Sequence, residues 1–151
     1  MTHDEHHLRL GQILNNLLSL ECMARACSLE HSRAPHPELK GLRAGDQVAL
    51  TPVTDDLQLR AVLTRYNAIP GAETIDVEPI AALRDALAHG RILAEEQATD
   101  MTLYKFGREK QGPVTVIRVD VMDDRWFTDN IRLTGNAGMA AQRTYRKLTG
   151  S

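Results

Sequence analysis

Between residues 4 and 27 the chain carries Leu10, Ile13, Leu14, Leu17, Leu18, Leu20, Met23, Ala24 and Cys27, with Asn15, Asn16, Ser19, Glu21 and Arg25 filling the gaps. Recurrence every three to four residues predicts a helix over 4–27 with a wide apolar face. So broad a face needs cover on more than one side, from other helices of the chain or from a second subunit. The 151 residues are enough for one domain with a sizeable core. Aromatic residues make up only 4 %, so Leu, Ile, Val, Ala and Met must build that core.

The remaining pattern supplies the cover. Thr54-Asp55-Asp56 is a helix start signal, and Leu57, Ala61, Val62, Leu63 and Tyr66 carry a helix over 55–67, stopped by Ile69-Pro70-Gly71. Asp76 is a fitting N-cap and Pro79 suits a first turn. Ile80, Leu83, Leu87 and Ile92 then give an incomplete stripe, with a helix over 77–89 and Gly90 just past its end. Asp123 caps a last helix over 124–148, with Trp126, Phe127, Ile131, Met139 and Leu148 predicted to face inwards.

Ala34-Pro35-His36-Pro37, Gly41, Gly45 and Pro52 make 28–53 an irregular crossover, predicted to be pinned by Leu39, Leu42, Val48 and Leu50. Residues 93–100 read as a polar, acidic loop. Leu103–Phe106 and Val114–Val121 switch to period two around Gln111-Gly112-Pro113. This predicts a hairpin over 102–121, with Val114, Val116, Val119 and Val121 as its packing residues. The expected fold is mainly α: a single domain over 1–151, a bundle of about four to five helices with a small peripheral antiparallel β-hairpin.

Several function classes are disfavoured. No apolar run approaches a membrane span, and no leader-like segment follows the start. Cys22 and Cys27 lie five apart on different faces of the first helix, which suits neither a disulfide nor a zinc pair, so a reducing cytoplasm is expected. His3, His6 and His7 with Asp4 and Glu5 resemble a metal cluster, but they sit at a terminus with no further ligands placed by sequence. No metal or cofactor is expected. There is no internal repeat, phosphate-cradling glycine loop, nucleophile elbow or zinc signature.

Charge is uneven. Residues 1–100 carry nine Lys or Arg and fifteen Asp or Glu, net −6, whereas residues 101–151 carry nine and five, net +4. The asymmetry suggests a basic face able to follow phosphates, built from Arg108 and Lys110 at the hairpin tip and Arg132, Arg143 and Arg146 on the last helix. A solvated surface with local ion pairs is the alternative.

The stretch that carries chemistry is Arg84-Asp85-Ala86-Leu87-Ala88-His89. Arg84 lies inside a short amphipathic helix, and His89 lies at its C-terminal lip, where the helix dipole favours imidazolium. Five residues at about 100° each put the two side chains roughly 140° apart, so convergence on one ligand requires the helix end to fray. An exposed Arg with a capping His fits the same residues. Asn67, at the end of the second helix, is either a residue that orients this site or a plain C-terminal cap. Glu21 is either a supporting acid or an exposed helix residue.

The same six residues resemble the Arg-polar-x-x-x-His signature of the HEPN superfamily, and the wider string Leu83 to Gly90 is similar to many of its members. A looser resemblance, helices before the motif and a hairpin and helix after it, covers most of the chain. The resemblance implies a small all-helical, nucleotide- and RNA-associated domain in which Arg84, Asp85 and His89 are the motif residues. It implies a homodimer with the motif helix at its seam, and metal-independent cleavage of RNA, often in a toxin or a phage-defence system. An antitoxin or a nucleotidyltransferase is the kind of partner it implies. Some members carry Tyr two residues after the His as the nucleotidyltransferase target. Arg91 stands there here, which puts that regulation in doubt and adds a phosphate-binding candidate. The alternative function is an inactive HEPN-like dimerisation or interaction module that binds a protein, nucleotide or RNA partner.

Overall fold

In a computed structural model, described over residues 1–94 and 99–151, the order is α1 (His3–Ser32), α2 (Leu59–Asn67), α3 (Val77–His89), β1 (Arg91–Ala94), β2 (Met101–Phe106), β3 (Val116–Val121) and α4 (Asp124–Thr149). The protein is mainly α with a small three-stranded antiparallel sheet. None of the described helices is long and apolar enough to cross a membrane. The chain forms two compact units: Met1–Leu17 with Glu78–Gly135, and Leu18–Val77 with Asn136–Ser151.

In the first unit, α1 presents His6, Ile13 and Leu17 as buried positions, a narrow seam within the wider apolar face. His6 meets the Phe127 ring edge-on at 5.5 Å, and its Nε2 lies 3.1 Å from Met122 O. Farther along, Asn16 donates to Thr134 Oγ1 at 3.1 Å. Partners in α4 thus advance with position in α1, so the two helices run parallel in this unit. Asp123 caps α4 as expected, accepting from Trp126 N at 2.7 Å. Of the terminal histidines, His6 serves packing, while His3 and His7 are exposed with rings 6.1 Å apart.

The sheet departs from the predicted lone hairpin. β1 pairs with β2, which pairs with β3, both antiparallel. Ile92, read as helical, and Leu93, read as loop, both lie in β1. Gly90 ends the helix one residue earlier, and a four-residue strand is too short to show a period. The rest of that predicted loop, 95–98, lies outside the described residues. Val114, Val116, Val119 and Val121 are not packing residues; they are 49–55 % exposed. Leu103, on the other face of β2, is fully buried. Period two separates the faces of a strand but does not say which one is covered.

In the second unit, α1 continues through buried Leu20, Ala24, Cys27 and Leu29. It reaches Ser32, beyond the predicted end at 27, and stops ahead of Pro35, with Arg33 in the left-handed region (φ 53°). Cys27 donates to Ala141 O at 3.4 Å, and burial pushes its thiol up to about 11. α2 begins at Leu59, four residues later than predicted. Asp55 does not start it, because its carboxylate is taken by Arg25 and Arg65, each at 2.5 Å. Arg25 also reaches Pro52 O and Leu57 O, and these bonds tie down the end of the crossover. Leu39, Leu42, Val48 and Leu50 do not pin it; all four are exposed.

The inner face of α4 also differs from expectation. Phe127 is buried in the first unit, but Met139 is half exposed and Leu148 lies at the surface. The buried positions are Thr134, Ala137, Ala140, Ala141 and Thr144, small or hydroxylic residues that a search for large apolar side chains passes over. Thr144 belongs to a closed hydrogen-bond cycle in the second unit. Glu73 N donates to Thr144 Oγ1 at 3.1 Å, and Tyr66 Oη donates to Glu73 O at 2.9 Å. Thr144 Oγ1 and Tyr66 Oη are 2.7 Å apart, so the Thr hydroxyl donates to the Tyr oxygen and every member is satisfied.

Candidate functional site

The motif lies on α3, in the first unit. Ile80, Ala81, Leu83 and Ala86 face its core. The buried stripe leaves Asp85 and Arg84 at intermediate depth and His89 exposed, with 55 % of its side chain open. α3 stays helical through His89, so the fraying that would let Arg84 swing towards His89 does not occur. On a regular helix the two project about 140° apart. Arg84 has no hydrogen bond or ion pair among the described residues.

What the fold does bring together is Asp85, His89 and Lys105. Lys105, on β2, donates to Asp85 Oδ2. The other oxygen, Oδ1, lies 3.7 Å from His89 Nε2 across one helical turn. The Lys105 ammonium holds the Asp85 carboxyl below its ordinary range, with smaller contributions from His89 and Arg108. Asp85 is therefore a carboxylate at neutral pH, one helical turn from the imidazole and beyond hydrogen-bond distance of it. Sequence reasoning missed Lys105. It lies twenty residues from Asp85 and stands in a strand whose covered face the pattern left ambiguous.

Gly90 makes this junction. It is not the left-handed cap expected from its position. Its N–H closes the helix on Ala86 O at 2.7 Å. A Cβ there would stand 2.7 Å from Leu103 Cδ1 and 2.8 Å from Tyr104 O, so only glycine lets the end of α3 come this close to β2. Arg91 follows, and its Nη1 donates to Gly90 O at 3.1 Å, capping the last turn with positive charge.

The other basic candidates are divided between the two units. Arg108 lies near enough to Asp85 to act on its charge, and Lys110 is exposed at the tip of the β2–β3 hairpin. Arg132 is engaged by Asp129 at 2.9 Å. Arg143 and Arg146 belong to the second unit, where Arg143 forks onto Glu73 at 2.7–3.0 Å. Glu21 and Asn67 also belong there and have other work. Glu21 accepts from Arg25, and Asn67 makes two bonds to the Ile75 backbone that close the loop after α2. No family model matches the chain, and no curated protein or solved structure matches it.

Proposed function

We propose that the chain is a metal-independent endoribonuclease of HEPN type, with the fold, motif roles and homodimer which that resemblance implies. The observation that carries the reading is an exposed His89 at a helix end, facing a carboxylate that Lys105 keeps ionised. RNA supplies its own nucleophile. His89 takes the 2′-OH proton, the 2′ oxygen attacks phosphorus, and the P–O5′ bond breaks. A protonated imidazole, from the second copy in a dimer, gives the 5′ oxygen its proton. The products are a 2′,3′-cyclic phosphate and a 5′-OH end.

A single chain does not fully neutralise the phosphorane, since Arg84 projects away from His89. Arg91 and Arg108 supply positive charge within the chain, and Arg84 supplies it across a two-fold seam. That divergence also favours the second reading, a non-catalytic dimerisation module in which Arg84 meets a partner. Incubation of the purified protein with total RNA in EDTA, followed by end-group analysis, separates the two. Cyclic-phosphate ends are expected, and His89→Ala is expected to cut the rate by about 10²- to 10⁴-fold. A requirement for a divalent ion, or cleavage that survives His89→Ala, refutes the mechanism.

A further inference from the structure

The sheet of the first unit has one face covered and one open. The pairing register puts Leu103 and Lys105 on the face towards α3. It puts Tyr104 and Phe106 on the other, with Arg91 directly opposite Tyr104 on one side and Val119 on the other. Phe106 is 39 % exposed and Val119 53 %, while Tyr104 is half-buried and Thr102, farther along the same face, is buried, so the face is open around Phe106 and Val119. The Tyr104 and Phe106 rings, two residues apart on the central strand, are nearly parallel: 13° between planes and 6.3 Å between centroids. They form one apolar shelf.

Its surroundings are positive. Arg91 borders the shelf beside Tyr104, and beyond Phe106 the chain passes through Gly107 to Arg108 and Lys110. Among the described residues, the acids nearest the face are turned away or spent. Asp120 sits on the covered face, paired with Arg118 at 2.5 Å. Asp85 is held by Lys105 on that same side. Glu109 accepts from Thr115 N within the tip. An exposed Phe106 ring stacked beside a half-buried Tyr104 ring, bordered by guanidinium and ammonium groups, matches a chain of unstacked bases on a phosphate backbone. A duplex offers no free base faces to such rings.

We propose that this open face binds single-stranded RNA, with bases stacked on Phe106 and Tyr104 and phosphates along Arg91 and the hairpin tip at Lys110. Where the ribonuclease reading holds, the substrate class of the α3 site is then single-stranded RNA; the binding face itself does not depend on that reading.

The test is fluorescence anisotropy with a labelled ten-nucleotide oligo(A) RNA and a ten-base-pair RNA duplex, on a His89→Ala background in which any cleavage is slowed. The single strand is expected to bind more tightly than the duplex. Phe106→Ala and Tyr104→Ala are each expected to weaken binding about ten-fold or more. Phe106→Leu keeps the apolar volume but loses the π-face, so it should retain the fold and still lose binding, while Phe106→Trp restores it. Arg91→Ala should lower the log–log salt slope by about 0.7. The proposal is overturned by no binding at low salt, by equal binding of the duplex, or by Phe106→Leu binding as tightly as the parent. It is equally overturned if Phe106→Leu abolishes a dimer and leaves RNA affinity unchanged, which would assign the face to a second copy. RNA binding through the shelf with no cleavage by the wild-type protein sinks the ribonuclease reading alone. His89-dependent cleavage with normal binding by the shelf variants sinks the shelf alone.

Discussion

Gly90→Ala tests whether the junction of α3 with the sheet is as tight as the geometry requires. The new methyl would stand 2.7 Å from Leu103 Cδ1 and 2.8 Å from Tyr104 O, and would also overlap Ala86 O, where ordinary contact is 3.4–4 Å. The leucine can rotate away, but the two carbonyl oxygens belong to the last turn of α3 and to the central strand. Ala86 O is already fixed by the 2.7 Å bond from the residue 90 N–H. Relief therefore requires the helix end and β2 to separate by more than half an ångström, a backbone shift costing about 2–3 kcal/mol. With a urea dependence of about 1–3 kcal/mol per molar, the unfolding midpoint should fall by about 0.7–3 M. Gly11→Ala is the control, because a Cβ at that helical position meets nothing within 4 Å. There alanine should add about 0.5–1 kcal/mol of stability. A Gly90→Ala midpoint within about 0.3 M of wild type, or equal shifts for the two variants, would refute the reasoning.

Two further outcomes follow from the second unit. Removing one member of the Tyr66–Thr144–Glu73 cycle strands buried partners, so Tyr66→Phe and Thr144→Val should each cost about 1–3 kcal/mol by chemical denaturation. The double variant should cost less than their sum, and strict additivity would show that no cycle exists. Burial works to raise the Asp55 pKa, but Arg65 and Arg25 outweigh it and hold the carboxyl below its ordinary range. A depressed acid contributes stability that is present above its unfolded value, about pH 4, and is lost as pH falls through the folded one. Asp55→Asn should therefore be less stable at pH 7 and show a shallower loss below about pH 4; parallel acid limbs for the two proteins would refute this.

The sequence was informative where structure is local and regular. The α3 boundaries, the Asp123 cap and the β2–β3 hairpin all follow from residues within a few positions of one another. Failures came where a distant partner decides. Asp55 looks like a helix start until Arg25 and Arg65 claim its carboxylate. Leu39 to Leu50 look like anchors, yet the crossover is held instead by an arginine reaching backbone carbonyls. α4 buries Thr134 and Thr144, not Met139, because hydroxyls satisfied inside the unit pack as well as methyl groups do. At the site, Asp85 and His89 were named through the family resemblance, and their four-residue spacing puts them on one side of the helix, but nothing near them in sequence announces Lys105.

The third strand changes what α3 can do. A motif helix beside a lone hairpin has a free end, and a free end can fray until Arg84 and His89 meet. Here β1 begins at Arg91, one residue past Gly90, and pairs along β2 from Tyr104 to Met101. That pairing, the Gly90 close approach and the Asp85–Lys105 bridge all restrain the last turn of α3. What these contacts restrain is the backbone that carries His89; its ring is 55 % exposed and 3.7 Å from Asp85, so it keeps its own side-chain freedom at a fixed point of the fold. If the proposed reaction runs here, the phosphate must come to that point, because the helix end does not move to meet it. Arg91 stands between the helix end and the open sheet face: it follows the helix end directly and pairs with Tyr104 at the edge of that face, so both proposals predict that Arg91→Ala weakens RNA binding.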